Sequence, residues 1–359
     1  MSEIFRILVI NPGSTSTKIS VFDGEKEVWT SKLKHSAEEL APFEKIIDQY
    51  DFRESVILHE LEKAGYEIGS FAAIVGRGGL VMPLEGGTYE VNEKLLDDLR
   101  AEVQGDHVSN LGAPIAEQLA REAGCRAFIV DPVVVDEMES PARFSGHPAL
   151  SRRSIFHALN QKAVARKACE ELGKDYFQAN LIVVHLGGGI SVGAHCRGRV
   201  IDVNNALNGD GPFTPERSGG LPSADLAALC FSGDYTHDQV KKMIKGEGGV
   251  VAYLGTNDML EVEQAVDSEN LEYREVYYAM AYQIAKEIGS LAAVLKGDVD
   301  AIVISGGIAY DKMFIGWITE RVEFISEVKV YPGEMEMEAL AYGGLRVLMD
   351  VEDAKTYTG

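Results

Sequence analysis

Cysteine is scarce in this 359-residue chain, and positive charge is short relative to negative. Its four cysteines, Cys125, Cys169, Cys196 and Cys230, stand far apart and form no Cys-x-x-Cys pair, which argues against a disulfide framework or zinc site and for a reducing compartment. Lysine and arginine total 34 against 56 acidic residues, a formal charge of −22. With no strong basic patch, such a chain repels phosphate backbones and anionic lipid, so neither nucleic acid nor a membrane is expected as a partner. A small anion stays open, because two arginines set their own local field. No apolar run approaches the roughly eighteen residues that span a bilayer. The start of the chain enters an apolar strand by Ile7 without the ordered regions of a signal peptide, and a cytoplasmic location is expected. Nor is any stretch rich enough in proline, glycine or serine to separate independent domains.

What is present is enough apolar material, 46% of residues, for two cores, and a faint internal repeat. Ile7-Leu8-Val9-Ile10-Asn11-Pro12-Gly13 and Leu181-Ile182-Val183-Val184-His185-Leu186-Gly187 each place four apolar residues before a polar side chain and a glycine at matched offsets. Small or hydroxylated residues follow, then an apolar stretch, then a turn glycine in Asp23-Gly24 or Arg197-Gly198. That pattern reads as a β-meander made twice, one copy per lobe. Helical spacing marks 92–103, 110–123 and 154–172, and 271–295 reads as a buried helix. Strands are expected at 72–75, 127–130 and 301–304. The result is an α/β chain with mixed sheets and two lobes hinged around a cleft. The boundaries fall at 1–134 plus 340–359 and at 135–339, with the last helix, from about Met337, returning to the first lobe.

Several short motifs could carry chemistry. Asn11-Pro12-Gly13-Ser14-Thr15-Ser16-Thr17-Lys18 is a small-residue turn able to bring N–H groups and hydroxyls to a phosphate, although it lacks the second glycine of a Walker A loop. The plain alternative is a hairpin turn whose glycine supplies an unusual φ. Gly187-Gly188-Gly189 costs backbone entropy and is the second such loop, and Gly306-Gly307 follows a third apolar strand and precedes a helix expected near Ile308. Arg77 and Arg217 both sit among glycines, where a planar fork suits carboxylate or phosphoryl oxygens, though exposed loop arginines are common. Asp131 stands at a strand end, as a site residue or a cap to the turn at Pro132. His157 lies early in a helix, and Glu336 and Glu338 at the start of another, where solvated or structural roles are the default.

Taken in order, these segments resemble the acetokinase family, within the acetate- and sugar-kinase, Hsp70 and actin superfamily, and most of all the branch that acts on butyrate. The most specific pieces are Asn11 to Lys18, Phe156 to Arg166, His185 to Ser191 and Arg217 to Gly220, in a resemblance running from about Ile7 to Leu348. It implies a duplicated ribonuclease H-like fold. It also implies an Mg2+-dependent enzyme that reversibly converts ATP and butyrate, or a similar short or branched-chain acid, to ADP and acyl phosphate, and that forms a homo-oligomer.

The resemblance assigns roles residue by residue. Arg77 and Arg217 match the arginine pair that holds the carboxylate, Asp131 the catalytic aspartate, and His157 a histidine beside the phosphoryl oxygens; His107 matches a further active-site histidine only with a one-residue gap. Asn11, Gly13, Ser14 and Lys18 match the first phosphate loop, and His185 with Gly187, Gly188 and Gly189 the second. Asp258, Gly306 and Gly307 match nucleoside contacts. Asn11, Asp131 and Glu338 match the metal side, with Glu336 the competing register. Where acetate kinases carry bulky residues after the substrate arginine, this chain has Gly78 and Gly79; the missing side chains are expected to leave space for a longer acyl tail, with Phe156 as part of its wall. The competing activities are a sugar kinase, a polyphosphate or pppGpp phosphohydrolase, and an actin-like nucleotide switch.

Overall fold

The repeat seen in the sequence is a repeat of strand order. A computed structural model describes residues 4–359, which divide into two compact units: one made of residues up to Val135 together with Met335–Gly359, the other of Asp136–Glu334. The helix Glu336–Leu348 lies wholly in the first unit, where the sequence reading had left its first turn in the other lobe.

The first unit holds β1 (Arg6–Gly13), β2 (Ser16–Asp23), β3 (Lys26–Lys34), β4 (Ala73–Arg77), β5 (Thr88–Glu90) and β6 (Arg126–Val130). The second holds β7 (Asn180–Leu186), β8 (Ile190–Cys196), β9 (Arg199–Val203), β10 (Ala301–Gly306) and β11 (Val328–Pro332), and β12 (Lys355–Thr356) belongs to the first. In the first sheet the order is β12-β5-β6-β4-β1-β2-β3, and in the second it is β11-β10-β7-β8-β9. β1 pairs antiparallel with β2 and parallel with β4, just as β7 pairs antiparallel with β8 and parallel with β10. Two meanders each extended by parallel strands are therefore one topology made twice.

Burial explains the sequence signal. Ile7, Leu8, Val9 and Ile10 are all fully buried because β1 is covered on both faces, so its apolar residues run without alternation. Leu8 and Ile10 join a core that includes Ile57 and Leu61 of the helix Tyr50–Lys63 and Ile115 and Leu119 of the helix Gly112–Ala123. The opposite face receives the helix Glu336–Leu348, where a Cβ on Gly344 would lie 2.7 Å from Val75 Cγ2. β3 is an outer strand whose exposed Lys26, Lys32 and Lys34 discourage edge pairing.

The helix Leu271–Val294 is not buried all round as its composition suggests. Tyr277, Met280, Ala281, Ile284, Ile288 and Leu291 form one inward stripe at helical spacing, while Tyr278 and Tyr282 stay exposed. Among the described residues, no helix is long and apolar enough to cross a membrane.

One close backbone approach sets the geometry of the first site. The helix Gly112–Ala123 begins directly on the end of β4: a Cβ on Gly112 would meet Arg77 O at 2.2 Å, and one on Gly76 would meet Gly112 O at 2.1 Å. Gly112 has helical angles (φ −63°), so alanine there is conformationally welcome and only the collision opposes it. Gly112→Ala is expected to destabilise by roughly 1–3 kcal/mol, as overpacking does. Gly289→Ala, in mid-helix with nothing within 4 Å of the added methyl, should stabilise instead, by about 0.5–1 kcal/mol. Urea unfolding of the two variants checks the opposite signs.

Candidate functional site

In the first unit, the β1–β2 connection is a tight turn: Gly13 pairs with Ser16 across it and Asn11 pairs with Lys18. Gly13 does not have a positive φ, so a glycine-only turn conformation does not explain it. Asn11 Nδ2 donates to Glu336 Oε2 at 2.8 Å, and Asn11 Oδ1 accepts from Arg77 Nη1 at 3.2 Å. Arg77 Nη1 also lies 2.7 Å from Glu336 Oε1. The ends of β1 and β4 and the start of the last helix thus bring an amide, a guanidinium and a carboxylate into mutual contact. Arg77 and Glu336 are both half-buried, which leaves the cluster open on one side. The carboxylate on this cluster is Glu336, and not the Glu338 favoured from sequence: two residues apart on a helix, the pair face different sides.

Asp131 is buried at the end of β6 with φ +38°, a strained conformation for a non-glycine residue. Its Oδ1 accepts from the Gly87 N–H at 2.7 Å, and its own N–H donates to Gly87 O at 3.1 Å. The aspartate therefore caps its strand onto the chain before β5. His107 is exposed and caps its own turn, with Nδ1 accepting the Ser109 N–H and lying 2.7 Å from Ser109 Oγ. Ser14 and Lys18 are exposed on the hairpin.

The glycines after Arg77 do not leave space. A Cβ on Gly78 would lie 2.6 Å from Pro132 Cβ, and one on Gly79 would lie 2.7 Å from Leu99 Cδ2 and from Asn110 Cα. The place a first side-chain carbon would take is already filled by the unit's own packing, and glycine is needed there for close approach. Phe156, the expected pocket wall, is only 1% exposed. The first point corrects the expectation of open space at Gly78 and Gly79.

In the second unit, His157 and His185 stack with ring centroids 3.9 Å apart. His157 stands at the N-cap position of the helix Ala158–Leu172, not in its first turn, and its side chain turns away from the helix end: Nδ1 lies 2.8 Å from Ser191 Oγ. His185 is buried, with Nδ1 2.9 Å from Asn160 Oδ1 and Nε2 3.8 Å from Glu334 Oε1.

The Gly187–Gly189 loop lies against Arg217. A Cβ on Gly189 would stand 2.0 Å from Arg217 Nη1, so the guanidinium occupies the space a side chain would take. Arg217 Nη1 donates to Ala206 O, and its buried Nε has no hydrogen-bond partner. Burial lowers its pKa, and only Glu216, 3.9 Å away, counteracts this. Thr214 Oγ1 donates to Gly188 O at 2.7 Å and accepts the Arg217 N–H at 3.0 Å, tying the two loops together.

Gly306 (φ +97°) ends β10, and a Cβ there would strike Leu186 O at 2.2 Å, so β10 and β7 finish side by side. The segment after it is a short 3₁₀ turn, Gly307–Tyr310, followed by the helix Lys312–Val322, so the helix expected near Ile308 starts later. Asp258 is exposed and caps the helix Met259–Asp267 by accepting the Leu260 N–H at 3.0 Å.

Among the described residues no three His, Cys, Asp or Glu side chains converge on a point that could hold a metal. Sequence reasoning passed over Arg53, Thr214 and Asn160. Arg53 could have been noticed: it falls on the same helical stripe as Ile57 and Leu61, where an apolar residue is expected.

Residues 146–355 match the model of the acetokinase family. Butyrate kinase 2 of Clostridium acetobutylicum is 56% identical over 353 residues, covering 98% of this chain and 99% of that one. Acetate kinase of Porphyromonas gingivalis superposes with a TM-score of 0.79 at 20% identity, over 96% of this chain and all of the other. A propionate kinase of Francisella tularensis gives 0.75 at 18% identity, over 94% and 98%. The two structures establish the fold, a mixed α/β, two-sheet architecture. From the matched model and the near full-length identity, the chain belongs to the acetokinase family.

Proposed function

We propose that this protein is an ATP-dependent carboxylate kinase that reversibly converts butyrate, or a similar short or branched-chain acid, and ATP to acyl phosphate and ADP by direct in-line transfer. The observation that carries this reading is the 56% identity to Butyrate kinase 2 over 98% of the chain. The physical problem fits the groups present. A carboxylate is already ionised near neutrality and needs no strong base, but it must approach a polyanion. Catalysis is then a matter of placing positive charge and excluding water.

Arg77, held at the end of β4, and Arg217, held against the Gly187–Gly189 loop, supply fixed guanidinium groups. His157 and His185 are placed by Ser191 and Asn160 and would contact phosphoryl oxygens. Asp131, with one oxygen already committed to Gly87, suits an orienting role better than proton abstraction. Gly13, Ser14 and Lys18 would meet phosphate from the first hairpin, and Asp258, Gly306 and Gly307 would bear on the nucleoside. His107 would take part only by giving up its turn cap.

The oxygens of Asn11 and Glu336 suit Mg2+ in kind, and would take it on parting from Arg77, which bonds all of them. That ion takes one or two carboxylate or amide oxygens and fills its remaining positions with phosphate and water, and Glu336 with Asn11 offers such a pair. When bound, the metal supplies charge neutralisation on the phosphates. Asn11 and Glu336 would hold it, and Asp131 is less suited than the resemblance implied.

Acyl hydroxamate trapping with ATP, Mg2+ and a panel of acetate, propionate, butyrate and isobutyrate tests the reaction. One of the four-carbon acids should exceed acetate in kcat/KM by about tenfold or more, the worth of two buried methylenes; acetate as the best substrate would overturn the assignment. Inversion at a chiral phosphorus is expected for in-line transfer, and net retention would indicate a phosphoenzyme. Glu336→Gln should lower kcat by roughly a hundredfold, the scale for one pre-placed charged group. Glu338→Gln should stay within about threefold, as a residue off the cluster does; the reverse ranking would restore the register first expected from sequence.

A further inference from the structure

Among the described residues of the first unit, Arg53 is the one large cationic side chain completely removed from solvent. It stands on the inner face of the helix Tyr50–Lys63, and its hydrogen-bond acceptors are all neutral. Nη1 donates to Gly13 O at 2.8 Å, to Ser16 O at 3.2 Å and to Thr17 Oγ1 at 3.0 Å. Nη2 donates to Ser14 O at 3.2 Å and to Gln49 Oε1 at 2.8 Å, and Nε donates to the same Gln49 oxygen at 3.0 Å. Among the described residues no carboxylate pairs with it, and burial alone pushes its pKa down to about 10. His35, bonded to Thr17 Oγ1 at 2.9 Å, does not offset the charge: burial, together with the charge of Arg53, lowers its pKa and favours its neutral form.

An unpaired buried cation is costly, and one carboxylate in place of a neutral acceptor would relieve it. The position of this cation is specific. It holds three carbonyls of the turn Gly13–Ser16 from behind, so those carbonyl dipoles point into the protein. A cation behind a turn whose outer side carries Ser14 and Lys18 raises the potential where an anion would sit. We infer that Arg53 is a positioning residue for the phosphates of the bound nucleotide or acyl phosphate: it fixes the first phosphate loop from beneath, and its unbalanced charge is offset by the ligand. This rests on the reading of Asn11–Lys18 as a phosphate loop and extends it to a side chain that does not touch the substrate.

Gln49→Glu separates charge from architecture. It keeps the acceptor oxygens on Arg53 and adds the missing negative charge. The full-length variant should melt at or above the wild-type temperature, yet bind ATP roughly tenfold more weakly by calorimetry, the scale of cancelling one nearby charge in a protein's effective dielectric. The KM for ATP should rise, while that for the carboxylate stays within about twofold. Arg53→Met should shift ATP binding the same way, and Arg53→Lys should recover part of it.

Unchanged ATP affinity in Gln49→Glu would overturn the inference. So would failure of that variant to fold, because an added carboxylate beside an unbalanced cation should stabilise. An equal loss of ATP and carboxylate affinity that tracks a lowered melting temperature would reduce Arg53 to a purely structural role. Acyl hydroxamate formation reports separately on the reaction. A wild-type chain that binds ATP but forms no hydroxamate removes the proposed function, and leaves the Gln49→Glu result to decide the role of Arg53. A wild-type chain that binds no ATP removes both.

Discussion

The first candidate site depends on one three-way contact between an amide, a guanidinium and a carboxylate contributed by distant parts of the chain. Asn11 and Glu336 are 325 residues apart in sequence and 2.8 Å apart in space, with Arg77 bonded to both. The contact exists because the helix Glu336–Leu348 packs on the same sheet that β1 and β4 form. An arginine bonded to a carboxylate at a half-buried edge is held in place, so its orientation is set before any ligand arrives. The same carboxylate keeps the amide of Asn11 from rotating. Pre-set groups of this kind are what a reaction between two anions requires, since the cost of gathering the charges is met on folding.

Glycine does much of the remaining work by letting backbones and cations come close. Arg217 lies where a side chain on Gly189 would be, the helix Gly112–Ala123 rests on the Arg77 carbonyl, and Gly306 lets β10 end against Leu186. In each case the missing methyl brings a functional group or a strand end about one side-chain layer closer than any other residue would allow. Gly78 and Gly79 belong to the same category. Read as sequence they suggest empty volume beside Arg77; in the structure Pro132, Asn110 and Leu99 have closed over them.

Arg53 shows the complementary tactic, a charge placed behind a loop and not in front of it. Its neutral acceptors leave its field uncompensated on the side of the turn that faces outward. In a chain carrying a formal charge of −22, local cations of this kind, and not the net balance, set the potential that an anionic ligand meets.

Periodicity and spacing alone determined the duplicated meander, the buried parallel strands and the glycine loops, because each is encoded within a few neighbouring residues: four apolar residues for a doubly covered strand, a turn glycine at a matched offset, a helical stripe. Which carboxylate meets Asn11 could not be read that way, since Glu336 and Glu338 are chemically identical and only the rotational setting of their helix on the sheet distinguishes them. The capping role of Asp131, the stacking of His157 on His185 and the burial of Arg53 beneath the first turn likewise arise from elements remote in sequence. Local patterns specify which elements form; the packing of those elements, which brings residues hundreds of positions apart within bonding distance, decided the chemistry that each side chain can perform.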